Sequence, residues 1–128
     1  MAKVTYSSAK GLVVESGTGF QVNDAPVLEE IEAVTATGDD DVELANFGVS
    51  SITTHGDGDQ DIVTLPNGDA AGQLKTIVLT TLTGGGDEIR VNDAAAADII
   101  TDNLAAAGDY AHLLWTGDAW VVVAEVTT

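Results

Sequence analysis

DIVTLPNGDAAGQLKTIVLTTLTGGGDEIRVN, residues 61–92, is the stretch that decides the fold class. It holds three runs rich in Val, Ile, Leu and Thr: DIVTL (61–65), LKTIVLTTL (74–82) and EIRVN (88–92). PNGDAAG (66–72) and TGGGD (83–87) break them with turn formers. Thr and the β-branched residues suit a pleated, half-buried surface, while Gly, Pro, Asn and Asp favour tight reversals. The alternation continues outward. IEAVTAT (31–37), DVELA (41–45) and VSSITT (49–54) lie upstream, YAHLLW (110–115) and WVVVAEV (120–126) downstream. Short runs at roughly 8–12-residue spacing with such punctuation predict an all-β fold: a compact antiparallel β-sandwich or small β-barrel.

The last two runs specify a hairpin. Gly117-Asp118 suits a two-residue turn, with Gly taking positive φ at its first position. Pairing across it sets Trp115 opposite Trp120, Leu114 opposite Val121 and Leu113 opposite Val122. Trp115, Gly117 and Trp120 are therefore expected as hairpin and core anchors, the tryptophan pair contributing roughly 0.5–1.5 kcal/mol beyond its buried area. One segment reads differently. VNDAAAADIITDNLAAAG (91–108) carries a cap-forming Asn92 or Asp93, an alanine run and a terminal Gly108, which are helix signals, yet DIIT also reads as a short strand. Propensity favours the helix slightly across 94–104.

Residues 1–23 divide from 24–128, the β-domain. Pieces of β character at 3–6, 12–15 and 20–22 mark the first segment as an N-terminal arm or a set of first strands. It lacks the apolar core of a signal peptide, so the chain is expected to stay in the compartment where it is made or to leave it by cell lysis. No run of 18 apolar residues occurs, so no helix is expected to span a bilayer.

The 128 residues carry 4 Lys+Arg against 21 Asp+Glu, a net charge of −17 and a pI near 4.1. Nucleic acid and anionic membrane are poor partners for such a chain, because both demand basic side chains to replace counterions. A solvated acidic surface, adaptation to a salty medium and bound divalent cations are three explanations of the charge. The excess of Asp over Glu and the scarcity of Lys fit the second. Lys3 and Lys10 make the first ten residues the least acidic part of the protein.

Chemistry finds little footing. With no cysteine, thiolate catalysis, disulfides and Cys-based zinc sites are excluded. There is no nucleophile elbow, Walker loop or dinucleotide glycine pattern. His55 and His112 are the only histidines, and His112 alternates with apolar residues as a sheet histidine does. HGDGDQD places Asp57, Asp59 and Asp61 at alternate positions, the best metal candidate, but it fails the EF-hand pattern. Along a strand, alternate side chains lie about 6–7 Å apart, so the loop would have to curl to gather them. No repeat of fixed period is found. The reading is a non-enzyme without a cofactor.

Two stretches, 65–94 and 107–123, resemble a domain found in virion structural proteins of tailed phages, especially marine and cyanobacterial ones. The features are Leu65-Pro66-Asn67-Gly68, Gly72-Gln73-Leu74-Lys75-Thr76-Ile77, the glycine tip at 84–86 and Leu114-Trp115-Thr116-Gly117-Asp118-Ala119-Trp120. They cover about half the chain. The resemblance implies a capsid decoration (cement) protein on the outer surface of the head, bound to the major capsid protein and commonly homotrimeric. It also implies a strand, not a helix, at DIIT. Lys3 and Lys10 would then meet carboxylates of the shell. The chain departs from the pattern in lacking a long shaft and in its acidity. A short fibre or tail component, or a non-viral carbohydrate- or cation-binding β module, are the alternatives.

Overall fold

The computed structural model describes residues 31–38 and 41–128 in full, and the strand backbones 4–7, 11–14, 21–22 and 25–26. β1 (Val4–Ser7) pairs antiparallel with β2 (Gly11–Val14), and β3 (Gln21–Val22) with β4 (Ala25–Pro26). Eight further strands follow: β5 (Ile31–Thr35), β6 (Val42–Glu43), β7 (Gly48–Thr53), β8 (Gln60–Leu65), β9 (Leu74–Thr81), β10 (Glu88–Asp93), β11 (Tyr110–Trp115) and β12 (Trp120–Val126). The described residues include no helix, so the protein is all-β.

Consecutive strands from β5 to β10 do not pair with each other. They alternate between a five-stranded sheet of order β12-β11-β9-β7-β5 and a three-stranded sheet of order β10-β8-β6. Within each sheet the successive turns of chain lie parallel: β5 to β7 to β9 on one side, β6 to β8 to β10 on the other. Three coils are thereby stacked, each contributing one strand to each sheet. Two facing sheets are present as in a sandwich, but no barrel closes among the described residues, and the strands from β5 to β10 pair parallel instead of antiparallel. Parallel neighbours cannot be joined by a tight turn. Here the crossover between them is a strand of the facing sheet, so the connections from β5 to β10 need only four to eight residues each.

The two sheets close over one apolar core that includes Ile52, Ile77 and Leu79 from the larger sheet and Val63, Leu65, Ile89 and Val91 from the smaller. Period-2 burial along β7, β8 and β9 selects these residues. The third coil is then covered in two ways. β11 runs antiparallel on β9, and β12 on β11, ending the parallel stack with a hairpin. Along β10, residues 94–104 form neither the helix that propensity favours nor the strand that the resemblance implies. They cross the sheet edge through isolated bridges, Asn92 to Asp98 and Ile89 to Leu104. Ile89 and Leu104 exchange backbone hydrogen bonds of 2.8 and 2.9 Å, and Ile99 donates to the Val91 carbonyl at 2.9 Å. A helix would have satisfied its own amides and left those of β10 unpaired, an edge that natural sheets cover. Ile100 and Leu104 are buried by the same excursion.

Candidate functional site

Three of the four features that carry the resemblance meet at one pole of the coil stack, and the glycine tip at 84–86 lies at the other, beside Gly56 and Gly58. β8 ends in Leu65, fully buried, and Pro66 turns the chain so that its carbonyl accepts the Trp120 indole N–H at 2.9 Å. Gly68 lies under the Trp115 ring: a Cβ there would stand 2.4 Å from Trp115 Cγ, so only glycine fits. The closing hairpin pairs Trp115 with Trp120, Leu114 with Val121 and Leu113 with Val122. The two ring centroids are 5.4 Å apart and tilted by 55°. Gly117 turns the hairpin at φ 106°, a conformation that L side chains avoid. Both tryptophans are buried, 5% and 8% exposed, so neither ring face is open to stack on a sugar.

Gln73 ties two loops, 44–47 and its own 66–73, to this clasp. Its side-chain amide donates to the Asn46 carbonyl at 2.5 Å, its side-chain oxygen accepts from Asp69 N–H at 2.7 Å, and its own carbonyl accepts from Trp115 N–H at 2.9 Å. Lys75, two residues on, is wholly buried. It stands beside Gly48 of β7, reaches past it to Glu32 of β5 at 3.2 Å, and donates to the Phe47 carbonyl at 3.0 Å. The same Glu32 oxygen accepts from Ala45 N–H at 2.9 Å and from the Ser50 hydroxyl. One buried ammonium thus stitches the third coil to the first across the second. Sequence reading passed over this role, although strand alternation sets Lys75 on the same face as Ile77 and Leu79.

The opposite pole is a stack of acidic loops. Thr35, Thr53 and Thr81 are in register, and each opens a similar stretch: Thr-Ala-Thr-Gly (35–38), Thr-Thr-His-Gly (53–56) and Thr-Leu-Thr-Gly (81–84). A repeat is therefore present, at unequal spacing, because the return loops between coils differ in length.

Asp61, a candidate metal ligand, is buried and spent on the backbone, accepting from Gly38 N–H at 3.1 Å and His55 N–H at 2.7 Å. Asp57 and Asp59 stay on the exposed turn, where Asp57 accepts the Asp59 N–H at 3.1 Å. Among the described residues no three His, Cys, Asp or Glu side chains are gathered as metal ligands. Asp87 does for the next loop what Asp61 does for its own. It accepts from the Thr54 hydroxyl at 2.6 Å and from Gly58 and Gly84 N–H at 2.8 Å each. The Thr54 bond above all, with the two backbone donors, holds the Asp87 pKa below its ordinary value, outweighing the upward push of burial. Asp109 behaves alike. Burial pushes its pKa up, but donors from Thr128, Ala105 and Ala106 bring the net value below the ordinary one.

Lys3 and Lys10 lie outside the described residues. Of the four basic side chains in the sequence, the other two have intramolecular carboxylate partners: Lys75 with Glu32, and Arg90 with Asp98. His55 sits in the acidic-loop pole, and His112 on β11 bonds to the Thr76 hydroxyl through Nδ1 at 2.7 Å. That contact pairs an imidazole with a hydroxyl, and among the described hydrogen bonds no carboxylate orients either ring. No protein-family model matches the chain, and no curated protein matches it.

Proposed function

We propose that the protein is a virion structural protein of the capsid-decoration type, which binds the outer surface of the head shell and stabilises it as a homotrimer. What supports this reading most is the convergence at the clasp. Leu65-Pro66-x-Gly68, Gly72-Gln73-x-Lys75 and Trp115–Trp120 are separate in sequence, and in the fold they form one interlocked unit. In this chain those features are parts of one scaffold and not scattered turn residues, which supports the reading. With Lys75 and Arg90 committed to internal pairs, Lys3 and Lys10 are the bases left to meet an acidic shell.

The test is attachment to purified, undecorated tailed-phage heads, read by co-sedimentation. A saturable stoichiometry, with heads that better resist osmotic shock, is the expected result. Absence of saturable attachment to heads from the phage whose genome encodes the chain refutes the decoration role. A short fibre or tail component is a second reading favoured by one observation: a stack of parallel coils is an architecture that lengthens by adding coils. Immunogold labelling of virions separates the two, since a decoration protein labels the head and a fibre component labels the tail.

A further inference from the structure

In a chain of net charge −17, one broad strand surface presents no Asp, Glu, Lys or Arg among the described residues. The five strands β5, β7, β9, β11 and β12 contain three charged residues, Glu32, Lys75 and Glu125. All three occupy inward register positions. Glu32 pairs with Ser50, Lys75 with Gly48 and Leu113, and Glu125 with Ala111, and each of those neighbours is buried on the core side. The outward positions are therefore occupied only by apolar residues, Thr, Ser, Tyr110 and His112. Val121, Leu114 and Leu74 form one continuous apolar row across β12, β11 and β9.

Exposure of large apolar side chains is concentrated on the same strands. Six described residues of this kind are exposed, and only Phe47 lies off the sheet; the other five are Ile31, Leu74, Val121, Val123 and Val126. Val123 is 59% exposed at the bulge opposite His112/Leu113. The outer face of the smaller sheet is different in kind: Glu43, Glu88 and Arg90 stand on it. Scattered exposed valines need no explanation, but a contiguous bare face marks an interaction surface.

We infer that this outer face of the five-stranded sheet is where copies of the chain meet one another. The argument for a second copy as occupant is electrostatic. Two molecules of charge −17 repel through any approach that opposes their carboxylates. The uncharged face lets them touch without confronting or desolvating one carboxylate by another. A basic partner would gain nothing by choosing the one face without acids, and an acidic shell would be better met by Lys3 and Lys10. This inference rests on the self-association in the functional reading above, and gives that association a surface.

Light scattering on the isolated full chain tests it without any capsid present. The wild type is expected at a multiple of 13.1 kDa, three times that mass for a trimer, and the multimer should persist or strengthen as salt screens the remaining repulsion. Leu74→Glu and Val121→Glu place carboxylates in the apolar row at half-exposed sites, so the monomer can keep its fold, checked by far-ultraviolet circular dichroism. Both should lower the mass to one chain. Val123→Glu, at the bulge, serves if either variant fails to fold. Thr64→Glu adds the same charge to the opposite outer face and should leave the mass unchanged.

A wild type that stays monomeric in low and high salt overturns the inference, leaving head attachment to be decided by co-sedimentation. Dissociation by Thr64→Glu as well overturns it in favour of bulk charge. Face variants that remain multimeric but no longer attach to heads overturn it too, and make this face the shell contact. Monomeric face variants that still attach weakly to heads support it and separate the two surfaces.

Discussion

Lys75 offers the sharpest test of how the coils are held together. Its side chain is 0% exposed and Glu32's is 27%, so the pair is dry at one end and wet at the other. Lys75→Ala removes three buried methylenes, at about 0.8 kcal/mol each, and leaves a cavity beside Gly48. It also orphans the Phe47 carbonyl, which costs about 1 kcal/mol. Glu32 keeps Ala45 N–H, the Ser50 hydroxyl and some water, so the loss of its cation adds only about 1 kcal/mol more. The total is about 4–5 kcal/mol, a large share of the about 5–15 kcal/mol that holds a domain folded. Lys75→Met keeps the length and most of the volume, and loses only the polar contacts, about 1–2 kcal/mol. Urea unfolding followed by fluorescence of the buried tryptophans measures both. The cycle with Glu32→Gln should show positive coupling between the two sites. Ala and Met variants of equal stability, or both within about 0.5 kcal/mol of wild type, would refute the reasoning.

Three further outcomes are expected. Gly68→Ala must displace the Trp115 ring, which its Cβ would approach to 2.4 Å, so a loss of about 1–3 kcal/mol and an altered near-ultraviolet tryptophan signal should follow; an unchanged signal contradicts the clasp. Asp87 and Asp109 have folded pKa values below their ordinary 3.8, so their contribution is present above that pH and is lost as pH falls through the folded values. Asp109→Asn should therefore destabilise at neutral pH and flatten the acid limb of the stability curve, and a variant that retains the full acid loss contradicts this. Deleting residues 1–10 should reduce occupancy on heads while shifting the unfolding midpoint by no more than about 0.5 kcal/mol equivalent; unchanged occupancy removes Lys3 and Lys10 from the contact.

Strand content was legible because β propensity and turn chemistry are local. Runs such as LKTIVLTTL and WVVVAEV lie on β9 and β12, and the turn at Gly117-Asp118 sets the register of its own hairpin. Sheet topology was not legible, because a strand passing to the facing sheet uses the same Gly- and Asp-rich connection as one folding back on its neighbour. The one clue was the recurrence of Thr-x-[Thr/His]-Gly at 35–38, 53–56 and 81–84. A search at fixed period misses it, since return loops of different length displace each copy. At 94–104 the alanines argue for a helix locally, but the unpaired edge of β10 decides, and that edge belongs to residues close in sequence only through β10 itself. Asp61 read as a ligand because alternate acids suggest a cation. The groups it faces are two backbone amides, His55 N–H of its own loop and Gly38 N–H of the preceding coil, and the second is invisible to any local pattern.

Those amides also bear on the acidity. The chain has 14 Asp against 7 Glu, a bias that on composition alone fits adaptation to salt. In the fold, Asp57, Asp61, Asp87, Asp93 and Asp109 each accept at least one backbone N–H in a loop or turn. An aspartate is short enough to reach a neighbouring amide, whereas the extra methylene of glutamate carries its carboxylate past it. A coil stack with tight loops at one pole needs many such acceptors, because each loop leaves N–H groups that no strand satisfies. Loop geometry thus accounts for five of the fourteen aspartates. For those five, the choice of Asp over Glu needs no saline habitat to explain it. The same geometry explains why so acidic a chain can pack. Three of these carboxylates, Asp61, Asp87 and Asp109, are at most 3% exposed and are held by donors instead of by cations. Among the described residues, the charge that remains in solvent lies on the loops and the smaller sheet, away from the outer face of the larger one.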